Sequence, residues 1–580
     1  VEELGLLKMD FLALRNLTVI KDALDRIEEN HGVKLNMSEL DMSDPAVYEL
    51  LSEGKTDGVF QLESAGMKSF MKQLKPKNLD EIIAGISLYR PGPMDFIPKY
   101  LANREHPESI VYDTPKLEKI LKSTYGCMVY QEQVMQIVME LAGYSMGRSD
   151  LVRRAMAKKK ADVMDKERQY FVYGNEELNV PGCVKNGIPE SVANKIFDDM
   201  VDFANYAFNK SHAAVYAVVA YQTAYLKIYY PVEYMAALIS SVRENTEKMS
   251  SYIQTCKSLG IKILPPDINK GSGDFLVDGN AIRFGLSGLR SIGDGVTEVV
   301  HQEVVANGPF TSLEDFCTRL SGKEANKRTI ESFILAGAFD SFGYNRHQMM
   351  MVYPAVLEQT AKEKKNAMSG QMSLMDFLGE EEKTEFQVRY PDVEEYPKDE
   401  LLAKEKEILG IYVSGHPLED DLDIIEEYTT AKSTAFLADT EEDENAGTEM
   451  EFEERECVVD KSSYTIGGLL TEITKKTTRN GDEMAFLTVE DLYGSVEVVV
   501  FARDYRQNKD RFVKDAKVLI KGNASVDERG GKLLFSKMTT FDEIRQERIA
   551  AGKELWLRFT ELETYMQQEQ ALYATLRQYP

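Results

Sequence analysis

Leu4, Leu6, Leu7, Met9 and Phe11 alternate and then run apolar, and Leu14, Leu17, Ile20, Leu24 and Ile27 follow at helical spacing. That pattern predicts a short strand running into a helix. From Pro45 to about Ser240 apolar positions recur mainly at helical spacing, interrupted at Arg90-Pro91-Gly92-Pro93, Gly126, Gly143, Pro181-Gly182 and Pro231. One large helical domain is expected there. Leu264-Pro265-Pro266-Asp267 turns the chain into a smaller unit, in which Ile282 to Leu289 is apolar and Gly293-Asp294-Gly295 opens a helix. A second short helical unit is predicted over Phe310 to Phe342, and residues 354 to 398 read as a polar linker without sustained period.

The last third changes character. Tyr464 to Thr474, Met484 to Asp491, Ser495 to Phe501, Lys517 to Val526 and Lys532 to Met538 are five strand-like runs, with hairpin signals at Asn480-Gly481, Tyr493-Gly494 and Arg529-Gly530-Gly531. Five short strands with one longer connection suggest a small Greek-key barrel of the OB type, although any small barrel gives this pattern.

Composition adds limits. The 580 residues, 43% hydrophobic and 28% charged, are too many for one core, and roughly three to five domains are expected. The most apolar stretch, Ala213 to Leu226, is broken by Tyr221, Gln222 and Thr223, and falls short of the ~20 apolar residues of a membrane helix. No membrane partner is expected. Five dispersed cysteines form no CxxC pair, so neither a disulfide framework nor a cysteine zinc site is readable, and a cytoplasmic location fits. The chain starts at Val1-Glu2-Glu3-Leu4, which reads as part of something longer.

The net charge of -27 argues at first against a nucleic-acid partner. Its distribution reverses that argument. Residues 380 to 460 hold 28 acids against 7 bases, a local charge of -21 that leaves -6 for all the rest. Within that segment Thr440 to Glu456 reads as a solvated spacer. The opposite bias lies between Gly147 and Arg168, where Arg148, Arg153, Arg154, Lys158, Lys159, Lys160, Lys166 and Arg168 crowd together. They suit either an anion or a solvated basic helix face. Lys8 and Asp10 stand two apart on the predicted first strand, on one face, where they suit a phosphate with a metal or simply a surface ion pair.

LLKMDFLALRNLTVI (Leu6 to Ile20), DGVFQLES (Asp57 to Ser64), ISLYRPGPM (Ile86 to Met94), VYQEQVM (Val129 to Met135), GRSDLVRRAMAKKK (Gly147 to Lys160) and FANYAFNKSHAAVYA (Phe203 to Ala217) occur in one order along the chain. In these six collinear motifs the chain resembles the bacterial family C replicative DNA polymerases, of the DnaE type because the barrel follows the polymerase motifs. The resemblance extends through essentially the whole sequence. It implies a multidomain, mainly α fold with an α/β palm edge and a C-terminal all-β OB-type barrel. The implied limits are 1–40 for the C-terminal edge of the palm, 41–260 for helical fingers and 261–353 for a tandem helix-hairpin-helix. A linker with a clamp-binding peptide follows over 354–398, then an acidic connecting segment over 399–460, the OB domain over 461–545 and a tail over 546–580.

The resemblance also implies roles. Asp10 matches a metal-binding aspartate of the palm, and Lys8 a lysine that contacts the incoming triphosphate. Arg153 and Arg154 match fingers arginines that hold the nucleotide's phosphates; Lys210, Ser211 and His212 match another fingers motif lining the nucleotide pocket, with Arg90 a further nucleotide-binding candidate. Fixed cations suit this task because nucleotidyl transfer spreads negative charge over the triphosphate. Two Mg²⁺ ions about 4 Å apart need several carboxylates; the family's other two aspartates precede the first residue of this chain, so the chain alone is expected to be inactive. Ser291, Gly293 and Gly295 fall where a helix-hairpin-helix binds a DNA phosphate, with Ser291 in place of the usual first glycine. Gln371, Leu374 and Phe377 fall in QMSLMDF, which resembles the family's sliding-clamp-binding peptide.

The implied function is template-directed DNA synthesis in replication, adding deoxynucleoside triphosphates to a primer. The implied partners are primer-template DNA, single-stranded template, dNTPs, the beta sliding clamp and replisome subunits such as the clamp loader. A non-catalytic adaptor that binds DNA and clamp is the alternative, distinguished by whether an Asp-x-Asp motif precedes Val1.

Overall fold

A computed structural model of the chain describes residues 13–157, 161–204, 208–320, 326–368, 388–436, 458–477, 481–527 and 530–550, with Met9, Glu324 and Leu572. Lys8, Asp10 and the expected first strand lie outside the described residues, as do Gln371, Leu374 and Phe377 and the spacer 440–456. The chain divides into two compact units, which meet in sequence at Pro417 and Leu418.

The first unit begins with the predicted helix, Arg15–His31. Its buried Val19, Ile20, Ala23 and Ile27 form one stripe at helical spacing, and Gly32, at φ 66°, ends it in a conformation that favours glycine. The stripe packs on the helix Pro231–Ser241, so the expected palm edge is built into the same core as the helices that follow. At the centre lies the helix Lys210–Tyr229, where Ala213, Ala217, Ala220 and Ala224 are buried. These small side chains let the helices Leu79–Leu88 and Pro45–Ser52 pack closely against it.

The structure differs from the single helical domain expected over 41–260. The described residues there form two hydrophobic cores. One contains Val47, Leu51, Phe70, Leu74, Ile82, Ala217 and Tyr234. The other, with Leu117, Ile137, Leu141, Val152, Phe171, Phe197 and Met200, is assembled from helices Pro115–Leu121, Gln131–Ala142, Met146–Ala157, Ala161–Tyr173 and Glu190–Ala204. The first core runs on beyond residue 260 without a break. It takes in Phe275 and Phe284 around a sheet of β1 (Lys262–Leu264), β2 (Leu276–Asp278) and β3 (Ala281–Arg283), ordered β1-β3-β2. It then continues through Phe310, Phe316, Phe333 and Phe339.

Two segments expected as connections are folded where they are described. The helix Arg346–Met368 continues through Pro354, with Tyr353 and Val356 buried beside it. Residues 388–396 are strapped along its start: Asn345 Nδ2 donates to the Val393 carbonyl at 2.8 Å, and Glu395 accepts from the backbone N–H groups of Arg346 at 2.8 Å and His347 at 3.0 Å. The carboxylate thus caps the positive end of the helix. Within the expected acidic connection, the helix Lys398–Leu409 buries Leu402, Glu405 and Leu409. Glu405 is fully enclosed, accepting from Arg346 Nη1 at 3.3 Å, the N–H groups of Val413 at 2.9 Å and Ser414 at 2.8 Å, and Ser414 Oγ at 2.6 Å. An acid with this many donors belongs to a core rather than a solvated linker.

The second unit is a closed barrel of β4 (Ser463–Thr477), β5 (Glu483–Glu490), β6 (Ser495–Val500), β7 (Lys517–Asp527) and β8 (Gly530–Thr540), in the order β4-β5-β6-β8-β7. The β6 and β8 pair is parallel and the other pairs are antiparallel. This is the Greek-key closure the strand spacing suggested. Alternation drives it: Ala485, Leu487 and Val489 of β5 point inward and meet Val496, Val498 and Val500 of β6. Gly468 of β4 lies so close to β5 that an added Cβ would stand 2.3 Å from the Glu490 carbonyl.

Candidate nucleotide and nucleic-acid interface

Arg90, Arg153, Lys210 and His212 converge on one backbone bridge. Tyr130 and Phe208 pair in parallel, with the Gln131 N–H donating to the Phe208 carbonyl at 2.8 Å and the Phe208 N–H donating to Val129 at 3.2 Å. This bridge joins the start of the helix Gln131–Ala142 to the start of the helix Lys210–Tyr229. The Arg90 guanidinium lies 4.4 Å from the Phe208 ring centroid, and Lys210 Nζ lies 5.3 Å from the Tyr130 ring and 3.8 Å from Asp80. The His212 ring packs 4.2 Å from Tyr216 and 5.5 Å from Phe208, while the backbone N–H of His212 donates to Asn209 Oδ1 at 2.8 Å. Ser211 and His212 are exposed on the first turn.

Arg153 reaches the same bridge, because its Nη1 donates to Gln131 Oε1 at 2.9 Å. Its Nε and Nη2 donate to Asp150 Oδ1 at 3.0 and 2.7 Å, and Arg154 Nε pairs with Asp150 Oδ2 at 2.8 Å. Hydrogen bonds from Arg153, helped by the charge of both arginines, hold the Asp150 carboxyl below its ordinary range. Arg90, Arg153, Arg154, Lys210 and His212, spread over more than a hundred residues of sequence, are therefore tied to one neighbourhood, Arg154 through Asp150. Two further members of the basic run are engaged in packing: Arg148 pairs with Glu167 at 2.5 Å, and Arg168 pairs with Asp198 over the Phe197 ring.

Sequence reasoning singled out neither Gln131 nor Glu132. The Glu132 carboxylate accepts from the Lys210 N–H at 3.0 and 3.2 Å and from Asn209 Nδ2 at 3.0 Å, so it anchors the start of the helix that carries Lys210, Ser211 and His212. Both residues belong to the motif VYQEQVM; only the fold shows what they hold.

At the predicted hairpin Ser291 adopts φ 73°, the left-handed conformation in which a glycine is usual. The turn leads to Gly293 and the helix Asp294–Asn307. No side chain caps its first turn, and Cβ positions at Gly293 and Gly295 meet nothing within 4 Å, so the backbone there is open to approach. Arg243 Nη2 holds the Asp294 carboxylate at 2.8 Å. On the barrel, Lys432 Nζ lies 4.8 Å from the exposed Tyr493 ring and Lys476 Nζ 4.6 Å from the Phe486 ring. Such paired cations and rings suit a polyanion with stacked bases.

Among the described residues no group of three or more His, Cys, Asp and Glu side chains is placed to hold a metal, and no helix is long and apolar enough to cross a membrane.

Together these features define a multidomain protein with nucleic-acid-binding modules. Residues 16–179 match the finger domain of the bacterial DNA polymerase III alpha subunit, residues 260–349 a helix-hairpin-helix motif, and residues 464–541 the OB-fold nucleic acid binding domain. The chain is 42% identical over 553 residues to the DNA polymerase III subunit alpha of Thermus aquaticus, 37% over 548 residues to that of Bacillus subtilis (strain 168), and 38% over 563 residues to that of Deinococcus radiodurans. Each match covers 94% of this chain. The chain belongs to the bacterial DNA polymerase III alpha subunit family. It spans 40 to 46% of the length of these relatives.

Proposed function

We propose that this chain is the nucleotide-gripping and DNA-gripping part of a template-directed DNA polymerase acting in bacterial replication. In the reaction the primer 3′ oxygen bonds to the α-phosphorus of a dNTP while the bond to the β-phosphate oxygen breaks and pyrophosphate leaves. The observation that carries this reading is the convergence of Arg90, Arg153, Lys210 and His212 on the Tyr130 and Phe208 bridge, with Arg154 tied to Arg153 through Asp150. Guanidinium and ammonium groups fixed there stabilise charge developing on the triphosphate without reorganising. Arginine suits the phosphates through paired N–H donors.

Asp10 is proposed to ligate Mg²⁺ and Lys8 to contact the triphosphate, both in concert with aspartates of the whole protein. Bound Mg²⁺ supplies charge neutralisation at the reacting phosphates. Because the chain spans less than half of the relatives named above, it is expected not to extend primers alone. Gln371, Leu374 and Phe377 are proposed to bind the sliding clamp, and Ser291, Gly293 and Gly295 to approach a phosphate of primer-template DNA. The barrel is proposed to take single-stranded template, with other replisome subunits such as the clamp loader as partners and the cytoplasm as location.

The test is primer extension by the chain joined to the upstream region of its parent. Arg153→Ala is expected to raise the apparent KM on the order of 10- to 100-fold, equally for all four dNTPs, because phosphates carry no base identity. A base-selective change, or none, contradicts the proposal. DNA and clamp binding without any extension would support the adaptor instead.

A further inference from the structure

We infer that Asp150 is the positioning residue for both fingers arginines, holding Arg153 and Arg154 in the orientation in which they receive the triphosphate; this rests on the function proposed above. Asp150, Arg153 and Arg154 stand at i, i+3 and i+4 of the helix Met146–Ala157 and so share one face. One carboxylate serves two guanidinium groups: Oδ1 accepts from Arg153 Nε at 3.0 Å and Nη2 at 2.7 Å, and Oδ2 from Arg154 Nε at 2.8 Å.

The donor arithmetic indicates what this contact does. A guanidinium presents five N–H groups. Asp150 takes the Nε–H and one N–H of Nη2 of Arg153, and Gln131 takes one N–H of Nη1. One N–H on each Nη is left for an incoming anion, on a guanidinium whose plane is fixed from two sides. Arg154 is bound by Asp150 through Nε, which leaves both its Nη groups outside that pair. Its side chain is 64% exposed, against 24% for Arg153, so the tether matters more for Arg154. The contact also keeps the carboxylate ionised, consistent with its lowered pKa.

A plain counter-ion in the same place predicts the opposite effect. An aspartate that merely neutralises two arginines competes with the triphosphate, and its removal strengthens anion binding. An aspartate that positions them weakens anion binding when removed, although the local charge becomes more positive. The sign of the change separates the two readings.

The experiment titrates dATP, and separately inorganic tripolyphosphate, into the 580-residue chain by calorimetry at fixed salt. It compares the unaltered chain with Asp150→Asn, Asp150→Glu, Arg153→Ala and the double variant Asp150→Asn with Arg153→Ala. Asp150→Asn is expected to weaken both probes on the order of 3- to 10-fold, Asp150→Glu to recover part of the loss, and the double variant to bind more weakly than Arg153→Ala alone, because Arg154 then loses its tether as well. Equal or tighter binding by Asp150→Asn, with Arg153→Ala still weakened, overturns the inference and leaves the proposed function standing. Unchanged binding by Arg153→Ala overturns both. Asp150 is a partly exposed surface residue, and matching thermal unfolding of Asp150→Asn and Asp150→Glu separates loss of orientation from loss of fold.

Discussion

Lys227 lies near the end of the helix that begins with Lys210, Ser211 and His212, and it is buried. Its Nζ donates to the backbone carbonyls of Lys55 at 2.7 Å and Asp57 at 2.8 Å, which pins the start of the DGVFQLES segment to that helix. Burial disfavours the ammonium and Lys68 opposes it, while Asp57, Cys256 and Glu63 partly offset them; the pKa falls from 10.5 to about 8. A lysine whose pKa is lower folded than unfolded weakens the fold at low pH. Below about 8 it is charged in both states, and its burial opposes folding by about 3 kcal/mol, at ~1.36 kcal/mol per pH unit over the interval from 8 to 10.5. As pH rises through 8 the folded state releases the proton while the unfolded chain keeps it to 10.5, so stability rises across that window. About 2 kcal/mol of the gain is reached by pH 10. The perturbation is Lys227→Met, assayed by urea unfolding of the first unit's transition from pH 7.5 to 10. The stability difference between unaltered chain and variant is expected to grow by about 2 kcal/mol in favour of the unaltered chain. Tyrosine and cysteine titration is common to both proteins and cancels in the difference. The variant also leaves two carbonyls without a partner, so the slope decides, not the offset. A difference that stays constant with pH refutes the reasoning.

Glu405→Ala should remove about 1 to 3 kcal/mol of stability, because it takes one acceptor from the buried Arg346, which keeps its pair with Asp340, and leaves three further donors without the carboxylate; denaturant unfolding checks the loss, with proteolysis expected first between residues 398 and 416. Replacing Gln371, Leu374 and Phe377 together by Ala should abolish clamp binding by calorimetry while the melting temperature stays unchanged, and should reduce processivity rather than the chemical step. In the chain joined to its upstream region, Asp10→Asn should lower kcat by orders of magnitude with DNA affinity nearly unchanged, measured by primer extension beside a DNA-binding titration.

The barrel was legible because its strands are short apolar runs, alternating along β5, and because Asn480-Gly481 and Gly530-Gly531 read as hairpin signals in the sequence; the predicted limits differ from the observed strands by at most three residues. The helices were equally legible, but their grouping was not. Periodicity marks an apolar face without naming its partner, so Ile137 and Ile82 look alike in sequence although they lie in different cores. Residues 354 to 398 and the acids around Glu405 suggested connections because the first stretch is polar without a sustained period and carboxylates prefer water. Arg346, Val413 and Ser414, distant or unremarkable in sequence, make that burial tolerable. In the site, the cations were visible as charge and motif. Asp150, Gln131 and Glu132 were not, since a residue that positions another is defined by its contacts.

The most direct test of the central claim is photolabelling of the chain with the γ-(azidoanilide) of dATP, followed by peptide mapping. The account predicts label, displaced by unmodified dATP, in the peptides around Arg90, Gln131, Arg153 and Lys210. Displaceable label confined to the barrel, or no displaceable label at all, would contradict it.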